Sequence, residues 1–370
     1  MIIKTNRLSS KNIIMMCFLS LYITKAICIS LMELRFIPEV DVSVFAMVCM
    51  VGVAWLEKIN ILKNNMFILL YIIASIAVTL IRNDSETIDN ILMAYALLIV
   101  FQYKENTIKN FIIISSLVIT PFIIVKLPSA IGGEYLGNRT AIAITTIGLL
   151  IEWYLYVNKS RMMWQCTTLI ICILFDLLLQ SRTYLIATCI SLIMLLIFRF
   201  KERLTMSRFL GCVFFVTSMI FIIMMSYQNI IELFTNKWGG RQETIFVGRS
   251  MMWIDVTSQF TWLGFVPNYT LNNWGLANVH NGFLQAYVSF GFLVFCLYVL
   301  LNLYAIYRCI CLRKDEYIQG LMLVYIPVTI AAFFESNFIF ELTYPFMGVV
   351  NAIYIGQILN YKNNSILKSR

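Results

Sequence analysis

The chain has 370 residues, of which 60% are hydrophobic and only 13% charged, where soluble domains average about 25% charged. Apolar runs of membrane-spanning length recur from end to end, and the polar sequence is too scarce to coat a core made from all of them, which argues against a soluble globular protein. The net charge of +9 is concentrated on one side of those runs and is therefore no footprint of nucleic-acid binding.

Taken in chain order, the hydropathy pattern predicts twelve spans: 12–32, 40–56, 66–81, 88–103, 108–126, 140–157, 165–181, 183–198, 209–230, 281–307, 317–334 and 342–360. The first follows Lys4, Arg7 and Lys11, as a signal peptide would. It is too long for one and lacks a small-residue cleavage site, so an uncleaved span is expected. Connectors are short except for 231–280, expected as one large periplasmic loop within a single transmembrane domain covering 1–370. With the N-terminus in the cytoplasm, 19 of the 28 Lys and Arg residues fall on the inner side and 8 on the outer, Lys25 lying within the first span. The inverted topology would reverse that bias, so both termini are expected in the cytoplasm. None of the ten cysteines falls in an outer loop, and one histidine with scattered cysteines offers no metal-site spacing.

The informative charges are the minority on the outer side. Arg82, Arg139, Arg182, Arg241 and Arg249 sit at polar turns or in the large loop. A guanidinium binds phosphate through paired N–H donors and stays charged, so several on one cleft suit a pyrophosphate. For each alone, a solvated loop charge or snorkelling anchor is the alternative. Arg182, in "LLLQSRTYLIA", has almost no loop to carry it into water, which calls for a partner or a site. Asp84, Glu86 and Asp89 cluster in "IRNDSETID", either as a metal or base site or as a solvated turn capping the next helix.

Four of the seven tryptophans, Trp238, Trp253, Trp262 and Trp274, lie in the large loop. They read either as an interfacial belt or as stacking surfaces for sugar rings. From Ser250, Trp253, Val256 and Phe260 recur at helical spacing until Gly264, predicting a short helix lying on or dipping into the outer membrane surface. His280, the one histidine, opens the tenth predicted span beside Asn281, under the arginine-rich loop. An unperturbed imidazole titrates near about 6.5 and can serve as a base, or it can be an interfacial residue without chemistry. Glu335 follows an apolar stretch and is a candidate to orient His280 or an arginine, while Asp176 and Lys25 are expected to pair with neighbouring helices.

At these residues the sequence resembles the O-antigen polymerase and O-antigen ligase family of bacterial inner-membrane proteins. The resemblance rests on "GRSMMW" (248–253), "VHNGFLQAYVSFG" (279–291), "QSRTYLIA" (180–187), "GNRTAIA" (137–143) and the plan of about a dozen spans with one large external loop before the His-Asn helix. It implies an all-α polytopic bundle like the multispan glycosyltransferases, acting on undecaprenyl-pyrophosphate-linked glycans at the periplasmic face without metal, cofactor or nucleotide sugar. It assigns Arg249, Arg241 and Arg182 to the pyrophosphate and His280 to the acceptor hydroxyl; Arg139, Asn281, Glu335 and Trp253 complete the candidate site as substrate-binding residues. It also implies a chain-length regulator as a possible partner.

The expected function is therefore a polymerase joining lipid-linked repeat units into O-antigen or a related surface polysaccharide, a step of lipopolysaccharide biosynthesis. The ligase that transfers finished chains to lipid A-core is the near alternative, although some ligases carry a second histidine that this chain lacks. A lipid-glycan flippase is the alternative of another class. Pro121 and Pro327 would interrupt the fifth and eleventh spans at matching places, but the halves share no visible similarity and the candidate residues gather on one face.

Overall fold

The computed structural model describes residues 66–82, 105–131, 134–179, 181–200, 249–266, 269–275, 279–335 and 345–361. The predicted spans at 12–32, 40–56, 88–103 and 209–230 lie outside these residues, as do 231–248 of the large loop, the acidic cluster at 84–89, and Lys25. Among the described residues every regular element is a helix and there is no strand. In chain order these are α1 (Met66–Arg82), α2 (Glu105–Ala130), α3 (Glu134–Val157), α4 (Met162–Leu178), α5 (Arg182–Phe200), α6 (Arg249–Ser258), α7 (Tyr269–Trp274), α8 (Gly282–Phe290), α9 (Phe292–Cys311), α10 (Glu316–Ala331) and α11 (Pro345–Asn360).

Three segments are long and apolar enough to cross a membrane: Thr140–Val157 in α3, Arg182–Arg199 in α5 and Phe292–Cys311 in α9. Helix α3 is central, packing against α2, α4, α5, α10 and α11, and α10 fills the space beside it against α5, α9 and α11. Surrounded in this way, both lack a polar face, and Trp153, Tyr325 and Tyr354 are among the largest fully buried side chains. The peripheral helices instead expose apolar stripes: Phe67, Leu70 and Ile73 on α1, Ile170, Ile171 and Leu174 on α4, and Leu300, Leu303 and Ile310 on α9. Leucine and isoleucine on the outside suit lipid rather than water.

Two polar groups inside the bundle are paired across helices. Pro327 lies within α10 without interrupting it, and Pro121 likewise lies within α2, contrary to the sequence expectation. Proline has no N–H, so the carbonyl one turn earlier, that of Leu323, loses its helical donor. Ser191 Oγ of α5 donates to that oxygen at 2.8 Å. Asp176, fully buried on α4, accepts from Thr145 of α3 at 2.9 Å and Thr188 of α5 at 2.9 Å, which pins three helices together. The described cysteines are all free thiols.

Short turns at 158–161 and 179–181 make α3, α4 and α5 consecutive antiparallel neighbours. One end of the bundle gathers the α4–α5 turn, the end of α1, α6–α8 and the end of α10. The opposite end holds the Lys159–Glu316 ion pair at 2.8 Å, Arg199 donating to Gln165, and Arg308 donating to the Tyr361 carbonyl at 2.6 Å. The two groups of basic residues that the sequence assigned to opposite sides thus occupy opposite ends among the described residues.

Replacing Ser191 with Ala is expected to strand the Leu323 carbonyl and lower stability by about 1–3 kcal/mol. In a Pro327→Ala background, where the helix regains its N–H, the same replacement should cost much less. Thermal unfolding of the four detergent-solubilised proteins measures this coupling; additive effects would refute it.

Candidate functional site

The predicted tenth span, 281–307, is not one helix. It breaks at Gly291, which has φ +84°, and a Cβ there would lie 2.0 Å from the Trp262 carbonyl oxygen. Only glycine meets both demands, since it tolerates positive φ and presents no side chain. Past the break α9 provides the spanning segment, while α8 folds back along it. The Phe283 and Tyr298 rings lie 5.4 Å apart, although fifteen residues of straight helix would separate them by about 22 Å. His280 therefore opens a short return helix beside the end of α10, not the span itself.

Residues on both sides fix His280 in place. Its φ is +49°, a conformation rare outside glycine and one that persists where the surroundings enforce it. The Val279 carbonyl accepts from the Trp253 indole at 2.7 Å, and the Val279 N–H donates to Gln285 Oε1 at 3.0 Å. Asn281 caps α8, its side-chain oxygen accepting from the N–H groups of Phe283 and Leu284 at 3.0 Å each, while its amide donates to the Phe333 carbonyl at 3.1 Å. The Gly282 N–H donates to the Ala332 carbonyl at 2.6 Å. A Cβ at Gly282 would crowd that same oxygen at 3.2 Å, so the close approach of α8 to α10 depends on glycine here too.

The result is a cluster drawn from four parts of the chain. Glu335, just past α10, faces His280 Nδ1 at 3.4 Å through Oε2 and Arg249 at 3.9 Å through Oε1. Arg249, the first residue of α6, also donates to the Phe334 carbonyl at 2.9 Å. Arg182 begins α5, half-buried, close enough to Arg249 for the two positive charges to act on each other. His280, Arg249 and Glu335 are partly accessible, and two cations with a carboxylate and an imidazole are equipped to hold an anion and move a proton. Among the described residues no three His, Cys, Asp or Glu side chains come together as metal ligands.

Of the eight residues singled out from sequence, His280, Asn281, Glu335, Arg249 and Trp253 meet here, with Arg182 beside them. Arg139 lies in the first turns of α3, with its side chain outside what is described, and Arg241 lies outside the described residues. Helix α6 splits the predicted stripe: Val256, with Met252, is buried against Phe265, Val279 and Tyr287, while Met251, Ile254 and, just past the helix, Phe260 are exposed.

Two features escaped the sequence reading. Arg82 donates to the carbonyls of Ser289 and Leu263, joining the end of α1 to the helix break. Asp255 accepts from Gln259 at 2.9 Å, Tyr269 at 3.0 Å and Trp274 at 2.9 Å, tying α6 to α7. The only sequence signal for the latter was an Asp-Gln pair four residues apart in an aromatic-rich loop. The Trp274 indole above all holds the Asp255 carboxyl below the usual carboxylate range; slight burial opposes this, and Tyr269 and Gln259 reinforce it. Compared with known proteins, the chain matches no family model and no curated protein.

His280→Asn is expected to fold normally, because asparagine tolerates the left-handed conformation, whereas His280→Val should cost about 1–3 kcal/mol; equal melting temperatures would contradict this. The α6–α7 clasp should be present above the ordinary aspartate pKa and lost as pH falls through the depressed folded value. Proteolytic nicking within 269–275 should therefore rise on acidification, and Asp255→Asn should be nicked readily at neutral pH. A pH-independent nicking rate in the parent would show that Asp255 does not hold this loop.

Proposed function

We propose that the chain is a polymerase of bacterial surface polysaccharide, joining undecaprenyl-pyrophosphate-linked repeat units at the periplasmic face of the inner membrane. The observation that carries this reading is the convergence of His280, Glu335, Arg249 and Arg182 at one end of the bundle. In this mechanism Glu335 accepts a hydrogen bond from the Nδ1–H of His280, which leaves the Nε2 lone pair to take the proton of an acceptor hydroxyl. The hydroxyl oxygen attacks the anomeric carbon of the lipid-linked donor. The bond from that carbon to the pyrophosphate oxygen breaks, and the electron pair leaves with the lipid pyrophosphate. Arg249 and Arg182 stabilise the charge that develops there. The motif-level resemblance to O-antigen polymerases supports the same assignment.

The ligase reading uses the same chemistry on a different acceptor, and deleting the gene separates the two. Loss of a polymerase leaves core capped by a single repeat unit; loss of a ligase leaves bare core and lipid-linked polymer.

One observation favours transport. Glu152 is fully buried in α3, and among the described residues neither carboxylate oxygen has a hydrogen-bond partner, with Arg199 the charge acting on it. A carboxylate in such a place is a frequent mark of proton or ion coupling.

Purified protein supplied with a defined lipid-linked repeat unit in detergent tests both. Elongation is expected without any membrane gradient. His280→Ala should reduce it by about 10²–10⁴-fold, Arg249→Ala by about 10²–10³-fold, and Glu152→Gln should leave it unchanged. Full elongation by His280→Ala would remove the imidazole from the mechanism, and no elongation by the parent would favour transport.

A further inference from the structure

The segment following α6 is irregular, and part of its backbone is tied to α8, α9 and α1 around the helix break. The Thr261 N–H donates to the Tyr287 hydroxyl at 3.0 Å, and that hydroxyl donates to the Gln259 carbonyl at 2.6 Å. The Phe292 N–H donates to the Thr261 carbonyl at 3.1 Å, and the Phe265 N–H donates to the Val288 carbonyl at 2.8 Å. Thr261 Oγ1 donates to the Gly264 carbonyl at 2.8 Å, and Arg82 serves the Leu263 carbonyl.

The side chains of this segment have the opposite character. Phe260 is 61% exposed, Trp262 64% and Val266 68%, although each is apolar. Phe260 and Trp262 meet edge to face at 5.0 Å, and both touch Phe292, at 5.2 and 6.0 Å between ring centres. Phe292 is the first residue of the spanning segment of α9, and beyond it the exposed side of α9 continues as Leu293, Leu300 and Leu303. The aromatic cluster thus extends the lipid-facing surface of α9 without interruption.

We infer that 260–266 is immersed in the boundary of the lipid leaflet at the start of α9, with Phe260, Trp262 and Val266 among acyl chains. This gives the loop a task that its tryptophan content alone did not settle. Trp262 is a membrane anchor, whereas Trp253 and Trp274, which donate to Val279 and Asp255, serve the protein. Joined to the same break at Gly291, the anchor sets the height of α8 relative to the lipid.

The test uses full-length protein in phosphatidylcholine vesicles whose acyl chains carry bromine near the headgroup end. A variant retaining Trp262 as its sole tryptophan should show strong fluorescence quenching by these lipids, weaker quenching by bromine near the chain ends, and little by aqueous iodide. If that variant does not fold, Trp262→Phe in the otherwise unaltered chain should remove the shallow-quenched component. Quenching by iodide but not by bromolipid would place the segment in water. Quenching by neither would mean that a second copy or another protein covers it. Either result overturns the inference and leaves the proposed chemistry untouched, since no step of it is read out by lipid quenching.

Discussion

The site hangs on one backbone constraint, the reversal at Gly291. A positive φ combined with a carbonyl oxygen where a Cβ would lie leaves glycine as the residue that fits. Because the chain turns there, α8 runs back beside α9 and delivers His280 to the end of α10, where Glu335 waits. Breaking a helix frees backbone groups at both new ends. Tyr287, Phe265, Thr261 and Arg82 take up those groups, so the loop after α6 completes the broken helix as well as covering it. A continuous helix through 291 would carry His280 away from Glu335 and Arg249 together.

The same rule governs the bundle interior, where water cannot repair an omission. Ser191 replaces the donor that Pro327 lacks, and two threonines occupy the Asp176 carboxylate. Glu152 is the carboxylate among several buried polar groups that the described residues leave without a hydrogen-bond partner. It lies toward the end of the bundle opposite His280, one turn from Tyr156, whose ring carries Arg199 at 4.2 Å. The two ends therefore differ in kind. One gathers an imidazole, a carboxylate and two guanidinium groups at partial exposure, and the other buries Glu152 while leaving the Lys159–Glu316 pair in the open.

How much of this was legible in the sequence follows from the range of each interaction. Helical periodicity and hydropathy are local, and for the described residues they located α1, α3, α5 and α10 closely. Five of the eight site residues could be chosen because charge and aromaticity are conspicuous in so apolar a chain. The break at Gly291 was not legible, since glycine is tolerated inside apolar helices and the oxygen that excludes a side chain belongs to Trp262, far off in sequence. The Ser191–Leu323 and Arg82–Ser289 bonds join residues separated by 132 and 207 positions, and nothing in either neighbourhood announces the partner. The α6 stripe was legible only in part for a related reason: an apolar face says that it will be covered, not whether lipid or protein covers it.

Glu335 shows why the cluster works as a unit. Its two oxygens face different partners, Oε2 toward His280 and Oε1 toward Arg249, and neither contact is as short as a charge-assisted bond can be. A carboxylate shared in this way responds to both partners. If an anion draws Arg249 toward itself, Glu335 loses its competing cation and is left to His280 alone. In the mechanism proposed here, arrival of the donor pyrophosphate would thus leave Glu335 to orient the imidazole. The two arginines contribute the other half of the argument. Each of the two positive charges raises the cost of the other, so an anion that reached Arg182 and Arg249 together would be held by both.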